Sequence, residues 1–337
     1  MNIRKGLGLA FGFAVSGLFI WLIFRALPVE SFLEALHSAR WPWILAGLGC
    51  FVLGYTCRIR RWWLMLVPYN ASLGWGRCAV PFMASIAANN VLPFRAGDVL
   101  RGVAFSRWLG VPTARVLATL LVERLLDLLS LIVALAVALW LIGAGRTGVQ
   151  SLFGWSAWAV ALLGVVVAVG LLCPRLFEGP LRRMIRAVPG RGGALAARLD
   201  AQAADVFQTL AAQARRGRIA VLMVWSALAW GFEACVFYAI ARALPDITAP
   251  VAAWVAMPVG TLSTMLPSTP GYIGTFHYFV MQAAEALGNP EGAAAAFAFL
   301  VHLALFIPAT LWGGVCFVYW MLARQMPPTS LDKVTPT

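Results

Sequence analysis

The sequence predicts an all-α polytopic membrane protein built as two inverted repeats, each of three transmembrane helices and one re-entrant helical hairpin. Three observations carry this. Of 337 residues, 61% are apolar and only 12% charged. A soluble domain has about 45–50% and about 25%, so this chain has too little polar surface to coat a water-soluble globule. Apolar runs of the roughly 20 residues that a span needs recur along the chain. Two further apolar stretches are broken by proline and glycine at corresponding places in the two halves.

The full spans are read at residues 6–27, 43–66, 116–142, 152–173, 219–243 and 293–322. MNIRK ahead of the first imitates a signal peptide. No small-x-small cleavage site ends that run, so it is read as an uncleaved span. The broken stretches are 78–110 and 251–288. Neither half of either is long enough to cross at about 1.5 Å per residue. A helix interrupted in hydrocarbon needs protein or a wet cavity around it, so both are read as re-entrant hairpins. Two tilted full spans per stretch are the alternative.

Span, span, hairpin, span fills residues 1–142 and then 143–322, with a tail at 323–337. An odd number of crossings per unit forces the two units into opposite orientations, a plan common in secondary transporters. The breaks themselves agree. The first reads LPFRAG (Leu92 to Gly97) and the second LPSTPG (Leu266 to Gly271), both L-P-x-x-x-G.

Lys plus Arg number 26 against 13 acidic residues, a net charge of +13. In a soluble protein this would indicate nucleic acid; in a membrane chain it marks the cytoplasmic side. The clusters are Arg4 with Lys5, Arg58 with Arg60 and Arg61, the Arg-rich segment 174–218, and Arg324 with Lys333. They place both termini in the cytoplasm. Within the segment, 191–214 reads as a basic amphipathic helix along the inner leaflet. The six cysteines form no C-x-x-C and read as small core residues. Trp41, Trp43, Trp62, Trp63, Trp75, Trp108, Trp140 and Trp320, near span ends, read as interfacial belts.

Candidate binding residues cluster at the breaks. In NNVLPFRAGDVLR, Asn89 and Asn90 close the first half-helix, and Arg95, Asp98 and Arg101 follow the break. A half-helix N-terminus beside Arg95 and Arg101 suits a phosphate; an internal Arg–Asp pair that only holds the hairpin is the competing reading. At the second break Ser263, Thr264, Ser268 and Thr269 supply hydroxyls, Gly271 opens the backbone, and Tyr272, His277 and Tyr278 are candidate cavity residues. Glu123 and Asp127 share a helix face at i,i+4, with Arg124 beside them. Arg58, Arg60 and Arg61 are their candidate partners, in a salt-bridge network or a gate. Glu233 and His302 are further intramembrane polar groups. The three histidines look too dispersed for a metal cluster, and no cofactor is expected. G-x-x-x-x-G-K, G-x-S-x-G and H-E-x-x-H are all absent from the sequence.

RIRRWW (Arg58 to Trp63), NNVLPFRAGDVLR (Asn89 to Arg101), ERLLD (Glu123 to Asp127) and LPSTPGYIG (Leu266 to Gly274) carry a family resemblance. Over about residues 7–322 the chain resembles the flippase-like transmembrane domain of lysylphosphatidylglycerol synthases, as a stand-alone member. It departs at Asp98, where Glu is commoner, and at His277, where an acidic residue is common, so a carboxylate role does not carry over there. No aminoacyl-transfer domain follows Lys333 in this sequence. The resemblance therefore implies lipid translocation, with a phospholipid, isoprenoid-linked or hopanoid lipid as partner.

Taken together, these readings lead to a flippase that moves a polar-headed, anionic lipid by alternating access, not an enzyme. Two alternatives stand. One is a lipid-phosphate enzyme, since Glu123 and Asp127 with P-G-x-x-G-T at Pro270 to Thr275 are similar to undecaprenyl pyrophosphate phosphatases. Their P-G-x-S-R-S signature is missing, with Ile273 and Gly274 where Ser and Arg would stand. The other is a non-catalytic partner of a lipid-synthesis enzyme.

Overall fold

The computed structural model describes residues 34, 37–92, 95–143, 162–186, 193–265 and 270–323. These residues are helices joined by short turns, without a strand among them. The expected first span, the start of the 152–173 span and both chain ends lie outside them, as do Ser268 and Thr269.

Among the described residues, four helices are long and apolar enough to cross a membrane. They are α1 (Trp41–Leu66), α5 (Thr113–Gly143), α9 (Arg216–Ala243) and α12 (Glu291–Ala323). Each matches an expected apolar run to within a few residues. Pro42 in the first turn of α1 supplies a preset φ where no N–H is needed. Pro68 lies two residues past the end of α1, and Val67 between them keeps right-handed helical backbone despite the proline after it.

Between α1 and α5 the chain forms α2 (Trp75–Val91), α3 (Ala96–Val103) and the single turn α4 (Ser106–Leu109). α3 doubles back onto α2, so closely that a Cβ at Gly97 would stand 2.0 Å from the Ser85 carbonyl oxygen. Only glycine permits that approach. The second broken stretch forms α10 (Ala253–Ser263) and α11 (Thr275–Glu285), which pack against each other. At 11 residues each, they reach about 17 Å, against a hydrocarbon core of about 30 Å.

The long helices pack in a cross-braced pattern. α1 and α9 run antiparallel, Gly47 lying against Ala239 and Gly54 against Ala229. α2 packs on α12, and α10 packs on α5. Two apolar clusters result. One holds Phe51, Phe237, Phe276, Val280 and Phe297; the other holds Trp62, Phe82, Phe105, Leu120 and Trp320. Tyr55, Ile86 and Trp312 touch both, which puts the polar residues of α1 at the boundary. Outward-facing side chains such as Val52, Leu53, Val137, Leu311 and Val315 are exposed and apolar, as lipid-facing surface requires.

Two readings of the tryptophans and of the basic segment need correction. Trp62 and Trp320 are core residues, 0% and 6% exposed, and Trp62 donates to Thr119; the belt reading suits Trp41 and Trp140, which are exposed. The helix expected at 191–214 is present as α8 (Gly193–Gln213), but it docks on the protein. Phe207 and Leu210 are buried, and Gln213 donates to the Met65 carbonyl. The surface-lying amphipathic helix is α7 (Arg175–Arg186), bent 85° from α6 (Leu162–Leu172). None of its residues is buried. Leu176, Phe177, Leu181 and Met184 form one exposed face, with the arginines opposite.

Arg182 and Arg186 tie α7 to α8 through Asp200. Their hydrogen bonds hold the Asp200 carboxyl well below the usual carboxylate range. A depressed folded value means that this support is complete above the ordinary Asp pKa of about 3.9 and is lost as pH falls further, through the folded value. Asp200→Asn should remove it at any pH. Amide exchange over 175–186, relative to intrinsic rates, should then be faster at neutral pH than in the wild type; unchanged exchange would remove the tie's role.

Candidate functional site

A cavity of about 160 Å³ lies at the boundary between the two apolar clusters. Both hairpins and three long helices wall it. α1 contributes Tyr55 and Arg58, α2 contributes Asn89 and Asn90, and Arg95 stands at the first break. α5 contributes Glu123, Arg124 and Asp127, α9 contributes Trp230 and Glu233, and the second hairpin adds Thr261, Thr264 and Tyr272. A neighbouring cavity of about 120 Å³ shares Tyr55, Asn90, Glu233, Thr261, Thr264 and Tyr272, and is closed by His302 and Phe306.

The charges around the cavity pair one to one. Arg58 bonds Glu233 across α1 and α9. Arg61, fully buried, reaches Asp127 at 2.8 Å and Ser226 at 2.7 Å. Arg101, also fully buried, reaches Glu123 at 3.0 Å. Arg124 reaches Asp98 at 3.0 Å. Cross-links at 3.6–3.7 Å join the last three pairs into one network: Arg101 to Asp98, and Arg124 to Glu123 and Asp127. Asn89 completes it, donating to Asp98 and accepting from the Asp98 backbone N–H. Four arginines thus meet four carboxylates.

Arg95 is the fifth arginine, and it has no carboxylate within ion-pair distance among the described residues. Its Nε is buried and makes no hydrogen bond among them. It is also strained. Arg95 and Tyr272 are the two non-glycine residues with positive φ among the described residues, at 53° and 59°. Such backbone is uncommon for side chains of this size and concentrates at functional sites. One lies at each hairpin break, and the Arg95 guanidinium sits 5.8 Å from the Tyr272 ring centre, within cation–π range.

The sequence-predicted residues therefore divide. Asn90, Arg95, Tyr272, Arg58, Glu123, Arg124, Asp127 and Glu233 line the cavity, with Asp98 and Arg61 behind them in the network. Gly271 lies against the Asn90 carbonyl, so the two breaks meet around Asn89 and Asn90. Arg101 does not join Arg95: it is held between the Trp62 and Phe82 rings, 4.7 Å from each centre, beneath the cavity. Arg60 lies apart from the network, over the Trp63 ring. His277 is off the cavity, buried among Phe276, Phe299 and His302, and Tyr278 is exposed.

Three features were not picked out in advance. Tyr55 and Trp230 line the cavity, and each precedes a picked charge by three residues, the spacing of one helix face. Thr310 accepts from Asn90 at 2.8 Å. His277 and His302, far apart in sequence, come within 4.7 Å. Among the described residues there is no cluster of three or more metal-ligating side chains.

The chain has no match among curated proteins. Residues 9–313 match the family model described as lysylphosphatidylglycerol synthase TM region. The match covers nearly the whole chain, including both hairpins and the charge network, and the chain belongs to this family of multi-pass membrane proteins connected with lipid handling.

Proposed function

We propose that the chain is a lipid transporter whose cavity takes an anionic head group at Arg95, the acyl or isoprenoid chains staying in the bilayer. One observation carries the reading. The ion pairs around the cavity balance four arginines against four carboxylates, leaving the strained, unpaired Arg95 as surplus positive charge on the cavity wall. An unpaired intramembrane charge is costly and marks substrate pathways. Glu123 and Asp127, the carboxylates an enzyme reading would use, are committed to Arg101 and Arg61, which favours transport over catalysis.

The proposal includes alternating access by two inverted repeats, in a bacterial inner membrane with both ends cytoplasmic, and the packing agrees with the repeat. α1 and α9 hold equivalent places in the proposed repeats and run antiparallel. α2 on α12 and α10 on α5 are likewise equivalent pairs, each hairpin braced by the last span of the other repeat. Rocking one repeat against the other would open the cavity alternately to the two sides.

Arg95→Ala should reduce anionic phospholipid retained after mild extraction by about tenfold to a hundredfold, the worth of a charge-assisted hydrogen bond at about 1.5–3 kcal/mol. Arg95→Lys should rescue only in part, because ammonium keeps the charge and loses the planar fork. Thermal stability should be unchanged, since no ion pair is broken. Wild-type retention by a folded Arg95→Ala protein would overturn the head-group site.

A further inference from the structure

A second, apolar cavity of about 330 Å³ opens between α5, α9 and α10. Its walls are Ala134 and Ala138 of α5 and Ala227, Gly231 and Ala234 of α9, with Trp254 and Met257 closing one end. These small side chains leave the gap: a Cβ built on Gly231 meets nothing within 4 Å. The rim residues Val133, Val137 and Leu141 are exposed on the lipid-facing surface of α5. Two of the three side chains with N–H or O–H groups at its wall are already engaged. Ser130 donates to the Leu126 carbonyl at 2.7 Å, and the Trp230 indole N–H donates to Asp127 at 3.2 Å. Apart from the Trp254 indole, the wall offers an occupant almost only apolar contact.

Trp230 belongs to this groove and to the charged cavity alike. Its indole carries the Arg58 guanidinium 4.0 Å from a ring centre, so one side chain separates a charged compartment from an apolar one. Along α5 the two linings interleave over one turn, Asp127 and Leu131 in the cavity and Ser130 and Ala134 in the groove. From Ser130 to Leu141 the groove covers about 17 Å of helix, close to one leaflet of a hydrocarbon core about 30 Å thick.

We infer that the groove holds one hydrocarbon tail of the transported lipid while its head group occupies the charged cavity, with Trp230 at the junction. A tail fits because the groove opens on helices that lie in hydrocarbon, offers chiefly apolar contact, and continues the cavity. The inference rests on the head-group reading of that cavity. It adds a lateral path between α5 and α9, and it makes Gly231 and Ala134 determinants of which tails are accepted.

The test uses the full-length protein in vesicles of phosphatidylglycerol and phosphatidylethanolamine, doped with a phospholipid carrying a photoreactive diazirine in mid-chain. Adducts should concentrate on groove residues of α5 and α9, above the level on the exposed α1 surface at Val52 and Leu53. Gly231→Phe fills the groove and should lower groove adducts roughly tenfold, the effect of about 1.4 kcal/mol, leaving the α1 adducts unchanged. Ala134→Phe, from the facing helix, should do the same and serves if Gly231→Phe does not fold. Uniform labelling of all lipid-facing helices, a groove left unlabelled because a second copy covers it, or adducts that survive both substitutions would overturn the inference. Arg95→Ala separates the two proposals. Unchanged phospholipid retention there defeats the head-group reading, whereas surviving groove adducts in the filled variants defeat the tail site.

Discussion

Arg101→Met should destabilise the protein by about 3–5 kcal/mol, the cost of leaving a buried charge without its partner. Arg101 is 0% exposed and Glu123 2%, and Arg101 Nη2 to Glu123 Oε1 is the short contact between them at 3.0 Å. With Arg101 gone, Glu123 keeps only Arg124 at 3.6 Å, and that guanidinium already serves Asp98. Adding Glu123→Gln removes the stranded charge. The double variant should therefore be more stable than Arg101→Met alone, and the coupling should exceed about 1 kcal/mol, since the residues are in contact. Thermal unfolding of the four proteins in one mild detergent reads both quantities. A wild-type midpoint for Arg101→Met, or additive effects in the double variant, would remove Arg101 from the network. The same cycle separates the two arginines of the first hairpin: loss at Arg101 falls on stability, loss at Arg95 on bound lipid.

That separation shows where sequence reasoning stops. The long helices were legible because hydrocarbon leaves a chain few options: apolar runs of span length must close their own hydrogen bonds. The hairpin breaks were legible because Pro and Gly interrupt both stretches. The partners of the charges were not. Arg95 and Arg101 look alike in sequence, but Arg95 precedes α3 in left-handed backbone while Arg101 lies inside it, a turn and a half on. They face different surroundings, and only the packing of α3 between α2 and α5 decides which one meets Glu123. His277 and His302 meet because α11 and α12 pack together, and no local period encodes that. The case of α7 differs. Its apolar face was readable from Leu176, Phe177, Leu181 and Met184, but arginines run through the whole of 174–218 and do not mark which helix lies on the surface.

The α2–α12 contact gives the sharpest packing test, because two adjacent glycines of α12 differ completely in what surrounds them. A Cβ at Gly313 would stand 2.2 Å from the Met83 carbonyl oxygen and 2.6 Å from the Ala87 methyl; at Gly314 it meets nothing within 4 Å. The obstacle at Gly313 is backbone, so no rotamer change relieves it and α12 must move away from α2. Overpacking of this kind costs about 1–3 kcal/mol. The shift also pulls Thr310, one turn earlier, from Asn90, removing a hydrogen bond worth about 0.5–1.5 kcal/mol. Gly314→Ala has the opposite sign, since Ala is favoured over Gly within a helix by about 0.8–1.0 kcal/mol. Gly313→Ala should therefore unfold well below the wild type and Gly314→Ala at or above it, in the same detergent. Because Asn90 lies beside both hairpin breaks, Gly313→Ala should also weaken phospholipid retention, and Gly314→Ala should not. Equal midpoints for the two variants would mean that α2 and α12 do not approach as closely as described.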